Sequence, residues 1–306
     1  MSGFFGMNKI LIAVVLGLVA LIGLAFLFSA VLVLSPSFSL FSGKIAVIPV
    51  KGSIEAEKSS FVTELSSSEI AEKVQQAAED PSVAAILLDI DSPGGSIVAT
   101  KQIVAAVQEA KQSKKVVAWI GDLGASGAYY VAAAGDYIIA DADSLTGSIG
   151  VISIVTNIEE LLKKYGVKVR VLKEGENKAM GSMFEDMNAE QLEIMQEILS
   201  NAFKHFKGDI IKFRGERLNR AEFERLSDGR ILSGEQALAA GLIDGLGTKQ
   251  DAIDKAAQLA GIESPTTVDF GKKEASLLEL LSSAGYSFGF GVKQGMFESS
   301  QPQIQS

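Results

Sequence analysis

The sequence predicts an α/β fold with a largely parallel sheet and flanking helices, preceded by one transmembrane helix. Three observations predict it. From residue 44 to about 172, apolar runs of strand length alternate with segments of helical period, the order that builds a parallel sheet. Val83-Ala-Ala-Ile-Leu-Leu-Asp-Ile90 is a near-continuous apolar run, as a strand covered on both faces requires. Ile10 to Leu34 carries no charge and is mostly Leu, Val, Ile, Ala and Phe. A helix of about 20 such residues spans a bilayer.

The apolar run reads as an uncleaved anchor. A secretory signal has a shorter core that ends at a small-x-small site. Ser29 to Val31 imitates such a site weakly, and the run continues through it to Leu34. Lys9 precedes the run and the next cation is Lys44, so the positive-inside rule puts residues 1–9 in the cytoplasm and the rest outside. Residues 35–43, with Pro36 and several serines, form a linker. The compact domain is expected at 44–262, and a flexible tail at 263–306. In the tail, Leu277, Leu278, Leu280 and Leu281 make one apolar patch before a Gly/Phe alternation and a Gln/Ser end.

Within the domain, Lys44 to Val50 is a strand. Ser66 to Glu79 has helical spacing, with Ile70, Val74 and Ala77 on one side, and Pro81 ends it. The strand from Val83 to Ile90 is followed by a helix over 96–113, a strand over 116–120 and a helix over 126–134. Strands are expected at 137–140 and 150–155. Residues 157–165 form a short helix that Asn157 can cap. Val167 to Leu172 alternates as a half-exposed strand does. Helices then follow at 189–214, 220–226, 234–240 and 250–260, with Gly241-Leu-Ile-Asp-Gly-Leu-Gly247 interrupting the last pair.

Composition narrows the chemistry. The 306 residues include no cysteine and one histidine, which excludes disulfides, thiolate catalysis and cysteine zinc sites. A formal charge of −9 argues against a nucleic-acid surface. No metal-ligand spacing and no phosphate loop is present, so neither metal nor cofactor is expected. His205 lies on the long helix with no acidic, glycine-rich setting, and reads as a partly exposed helix residue rather than a triad member. A hydrolase built from this chain has few ways to activate a nucleophile, and a serine beside a neutral lysine is one.

Four motifs carry that possibility. Asp89-Ile-Asp-Ser-Pro-Gly94-Gly95-Ser96 ends a buried strand just before a helix. It is either a plain turn capped by Ser96, or a site where Gly94 and Gly95 turn N–H groups toward an oxyanion. Gly124-Ala-Ser126-Gly-Ala-Tyr-Tyr130 puts Ser126 at a helix start, either as its cap or as an accessible hydroxyl at the positive end of the dipole. Lys178 stands between a strand and the long helix. As a base it must be neutral, which from an ordinary value of about 10.4 asks for about 4 kcal/mol of differential stabilisation. Burial supplies shifts of that size, whereas Glu174, Glu176 and Glu185 would oppose it if they came close. Taken alone, Lys178 reads as a surface residue. In Leu145-Thr-Gly-Ser148-Ile-Gly-Val151, Ser148 is either a turn residue or a hydroxyl that orients an amine.

Together these motifs resemble signal peptide peptidase A in its short membrane-anchored form. The resemblance covers residues 44 to about 260. It rests on Asp91-Ser-Pro-Gly-Gly95, Gly124 to Tyr130, Leu145 to Val151, Lys178 at matching distance, Asp228-Gly-Arg230 and Gly241-Leu-Ile-Asp-Gly245. It implies a crotonase-like (Clp-protease-like) fold and a serine/lysine peptidase. Ser126 matches the nucleophile, Lys178 the general base and Ser148 the serine that holds the lysine amine. Gly94 and Gly95 match the oxyanion-hole region. It further implies homo-oligomers whose active sites are shared between neighbours, acting on cleaved signal peptides in the membrane. Two departures stand out. Ala128 replaces a usual glycine and adds a methyl that would narrow the groove, and Met183 follows Ser182 where many relatives have proline.

The expected activity is therefore a single-pass membrane endopeptidase, with its catalytic domain outside the cytoplasm and hydrophobic peptides as substrates. An acyl-CoA hydratase of the same fold and a non-catalytic scaffold for hydrophobic segments are the competing readings. The apolar stretch Leu277 to Phe290 is a candidate to enter the groove as substrate or inhibitor.

Overall fold

The computed structural model describes residues 17–24, 43–57 and 65–271. The chain divides into two compact units, Met1–Gly43 and Lys44–Ser306. In the first, residues 17–24 are helical (α1) and their leucine, valine and isoleucine side chains are more than half exposed. The rest of the apolar run at 10–34, residues 35–42 of the linker and residues 272–306 of the expected tail lie outside the described residues; the first part of that tail is not free, because residues 266–269 pair with the strand that opens the domain, Lys44 with Thr266 through Val47 with Asp269. Among the described residues no helix is long and apolar enough to cross a membrane.

The second unit is a mixed α/β domain with a mostly parallel sheet and flanking helices. Its sheet orders β6-β5-β3-β2-β1-β8, with β4 joined to β3 and β7 to β4. The long strands are β1 (Lys44–Ile54), β2 (Val83–Gly95) and β3 (Lys115–Ala125); the short ones are β4 (Tyr137–Ala140), β5 (Leu145–Gly147), β6 (Ile231–Ser233), β7 (Gly245–Leu246) and β8 (Thr266–Asp269). Every pairing is parallel except β5 with β6. Parallel strands need covered faces, and the period-2 rule sorts β2 accordingly. Ile86, Leu88 and Ile90 face a core shared with α2 (Ser67–Glu79), α3 (Ile97–Ala110) and α4 (Gly127–Ala133). Ala85 and Leu87 face a smaller core under α9 (Lys249–Ala260). These β2 side chains are all fully buried, and each large one contributes about 1.5–3 kcal/mol of transfer free energy.

The helices begin where their caps dictate. Ser66 with Glu69, and Asn188 with Gln191, form capping boxes at the starts of α2 and α6 (Ala189–Arg214). The end of α6 is locked from the motif that breaks the helical pattern. The fully buried Arg214 guanidinium meets both carboxylate oxygens of Asp244, at 2.8 and 2.7 Å. Tyr129 of α4 donates to the Leu242 carbonyl at 2.8 Å, tying the same turn to the core.

Two sequence expectations fail together. Residues 150–155 and 167–172 belong to no strand, and the helix between them shortens to α5 (Glu159–Lys164). Their apolar pattern is genuine, yet no strand among the described residues pairs with them. Ile152, Ile154 and Leu172 are 82%, 84% and 86% exposed. The short strands β5 to β8 have too few residues to leave a periodic signal and are fixed by their partners.

Candidate active site

The site forms where the sheet splits. β3 pairs with β4 as far as Ile120↔Ala140, then changes partner and pairs with β5 from Leu123 to Ala125. Buried hydroxyls hold the split open: Ser144 donates to the Gly121 carbonyl at 2.5 Å and Thr146 to the Gly124 carbonyl at 2.7 Å. Beyond it the chain turns sharply into α4 at Ser126, whose φ is +53°. Few non-glycine residues occupy that region, and such strain concentrates at functional sites. The Ser126 amide is held by the Gly147 carbonyl at 2.8 Å. Its side chain makes no capping hydrogen bond to α4, so the cap reading of Ser126 does not hold. Ser96, in contrast, does cap α3 by accepting from Ala99 N–H.

Ser126 opens into a cavity of about 270 Å³ that Gly95, Gly127, Ser148, Tyr130 and Phe206 help to line. Gly94 has φ +94°, and a Cβ there would meet the Gly127 amide nitrogen at 2.6 Å. The close approach of the two glycine turns therefore requires glycine at 94. Gly127 N–H is the first of α4, and the first N–H groups of a helix have no intrahelical partner. It is a candidate donor that the sequence motifs did not single out; its signal was its place directly after the serine at a helix start.

Ser148 is the second non-glycine residue with positive φ, at +50°. Its amide is held by the Arg230 carbonyl at 2.8 Å, and Arg230 in turn forks onto Asp228. Hydrogen bonds from Arg230 bring the Asp228 carboxyl down to about 2, so this clamp stays charged in neutral solution. Asp228-Gly-Arg230 thus sets the backbone beside Ser148, and Gly229 lines the cavity. At the opposite wall Tyr130 donates to Asp209 of α6, and burial together with that carboxylate pushes its phenol well above its ordinary value.

Lys178 is not brought to Ser126 within one chain. It is exposed in a turn after Gly175, and it is not among the cavity-lining residues. Of the three acids that threatened it, Glu185 is engaged by Lys173 at 2.6 Å. Ala128 needs a correction: its methyl is fully buried in the core and does not line the cavity, so it does not narrow the groove. The reason is helical geometry, which turns the second residue of α4 away from the face that carries Ser126. His205 is exposed on α6.

Comparison with known proteins gives this geometry a family. The profile of Peptidase family S49 matches residues 108–263. A protein of Methanocaldococcus jannaschii named as a candidate protease is 36% identical over 220 residues, 72% of this chain and 69% of that one. Protease 4 of Haemophilus influenzae is 31% identical over 226 residues, 74% of this chain but 36% of the longer relative. The chloroplastic serine protease SPPA of Arabidopsis thaliana is 30% identical over 251 residues, 80% of this chain and 37% of that protein. The chain belongs to peptidase family S49 and is a serine peptidase.

Proposed function

We propose that this protein is a membrane-anchored endopeptidase of crotonase-like fold that cleaves hydrophobic peptides such as spent signal peptides. Ser126 attacks the scissile carbonyl, and N–H groups at Gly95 and Gly127, beside Gly94, hold the oxyanion. Lys178 takes the serine proton and returns it to the leaving amine, with Ser148 orienting its ammonium group. One observation carries the reading: a strained serine, free of its capping role, opens into a cavity with glycine turns and a second strained serine beside it.

The base comes from a neighbouring copy. Lys178 follows the exposed segments at 150–155 and 167–172 in the chain, and their exposed apolar side chains, with no strand pairing among the described residues, suit a partner surface. Closure by a second copy would cover these residues and give Lys178 the burial that a neutral amine requires. The apolar run at 10–34 would hold the assembly at the membrane with residues 1–9 in the cytoplasm.

The test is peptidase activity of the full-length protein in detergent. Ser126→Ala and Lys178→Ala are each expected to lose at least about a thousandfold in kcat while keeping their assembly. Full turnover in either would sink the mechanism; tight peptide binding without turnover in the wild type would favour a scaffold.

A further inference from the structure

Two polar groups of the cavity have no role in the mechanism above. Thr100, on α3, is 1% exposed, and its Oγ1 is buried without a hydrogen-bond partner among the described residues. The hydroxyl is aimed at the nucleophile turn, since a Cβ on Gly127 would lie 2.5 Å from it. A buried hydroxyl with no partner carries an unrelieved desolvation cost, and a small rotation of the Thr100 side chain toward the cavity would let a ligand atom relieve it. Its neighbour Lys101 also lines the cavity and makes no ion pair among the described residues, in a chain of net charge −9. Among the described residues no aspartate or glutamate lines the cavity to balance it.

The remaining walls constrain what enters. Ile97, Tyr130 and Phe206 are apolar surfaces that would cover a short hydrocarbon stem. Ile97 and Lys101 stand one turn apart on α3, so apolar wall and cation share one helix face. The first turn of α3, which carries Ile97 and Thr100, is the positive end of its dipole. An apolar sleeve with a buried donor and an unpaired ammonium is complementary to an anion on a hydrocarbon stem.

We infer that this cavity selects a substrate carboxylate, with Thr100 Oγ1–H donating to it and Lys101 Nζ neutralising it. The inference rests on Ser126 being the nucleophile. The carboxylate belongs either to a glutamate side chain on the acyl side of the scissile bond or to a free peptide terminus.

The test uses the full-length protein and two matched peptide pairs. One pair differs as Glu against Gln at the acyl-side residue, with amidated ends; the other keeps Gln and ends in acid against amide. In the wild type, kcat/KM is expected to favour the carboxylate member of one pair by about three- to fivefold, the range of a partly exposed ion pair. The preferred pair identifies the source. Lys101→Met brings that ratio to about one, Lys101→Glu takes it below one, and Thr100→Val reduces it. Salt at about 0.5 M shrinks it. Equal rates within both pairs in the wild type, or a ratio unchanged in Lys101→Met, overturns the carboxylate site and leaves Ser126 standing. Undiminished cleavage by Ser126→Ala overturns the reading beneath it instead.

Discussion

Ser126 and Ala128 are separated by one residue and have opposite fates. Ser126 is strained, aimed into a cavity and released from capping; Ala128 is sealed in the core. Residue type alone did not distinguish them, because both are small residues at a helix start. Ala128→Gly is therefore expected to leave KM unchanged and to cost about 1 kcal/mol of stability or somewhat more, measured by urea unfolding. A lowered KM would mean that the methyl does reach the groove. Gly94 presents the reverse case. Its φ of +94° and its contact with the Gly127 amide leave no space for a methyl, so Gly94→Ala displaces the N–H groups proposed to hold the oxyanion. A fall of about 10²- to 10³-fold in kcat is expected, with the fold kept by circular dichroism.

The helices and long strands were legible because each repeats a signal over many residues. α2, α6 and α9 begin at side chains that close capping boxes, and β2 reads as a buried strand from its composition. The segments at 150–155 and 167–172 carry strand-like patterns yet form no strand, since a pattern says which face is apolar and not what will cover it. If these segments meet a second copy as proposed, Ile152→Asp with Leu172→Asp is expected to leave a monomer by size-exclusion chromatography and to remove activity, while the thermal transition of the isolated chain stays close to wild type. At the end of α6, Arg214 is buried against Asp244. Asp244→Ala leaves that guanidinium uncompensated and is expected to cost about 3–5 kcal/mol in chemical denaturation.

Across the whole molecule, β1, β2 and α9 meet at one carboxylate. Asp89 accepts from Lys51 at 2.7 Å and from Lys249 at 2.8 Å. Burial pushes its carboxyl up, but the hydrogen bonds from Lys249 and Lys51 outweigh that and hold it below its ordinary 3.8. A carboxylate whose folded value is depressed stabilises the fold above 3.8 and loses that contribution as pH falls through the folded value. Asp89→Asn is expected to be less stable than wild type at about pH 6, with the gap narrowing only as pH falls below 3.8. Assembly offers a second test. Ser126→Ala and Lys178→Ala proteins, each inactive, should regain about a quarter of wild-type activity when unfolded and refolded together, because random pairing unites an intact serine with a neighbour's intact lysine at that frequency. No recovery would place both groups in one chain. The sequence by itself determined the α/β order, the buried strands, the helix starts and the small set of residues able to support a serine/lysine peptidase, since these are carried by periodicity, caps and the absence of cysteine. Only the tertiary structure decided that Ser126 is free and strained, that Thr100 and Lys101 share its cavity, and that Lys178 stands apart from it. Those facts depend on which distant segments meet at the split in the sheet, and no local pattern records that meeting.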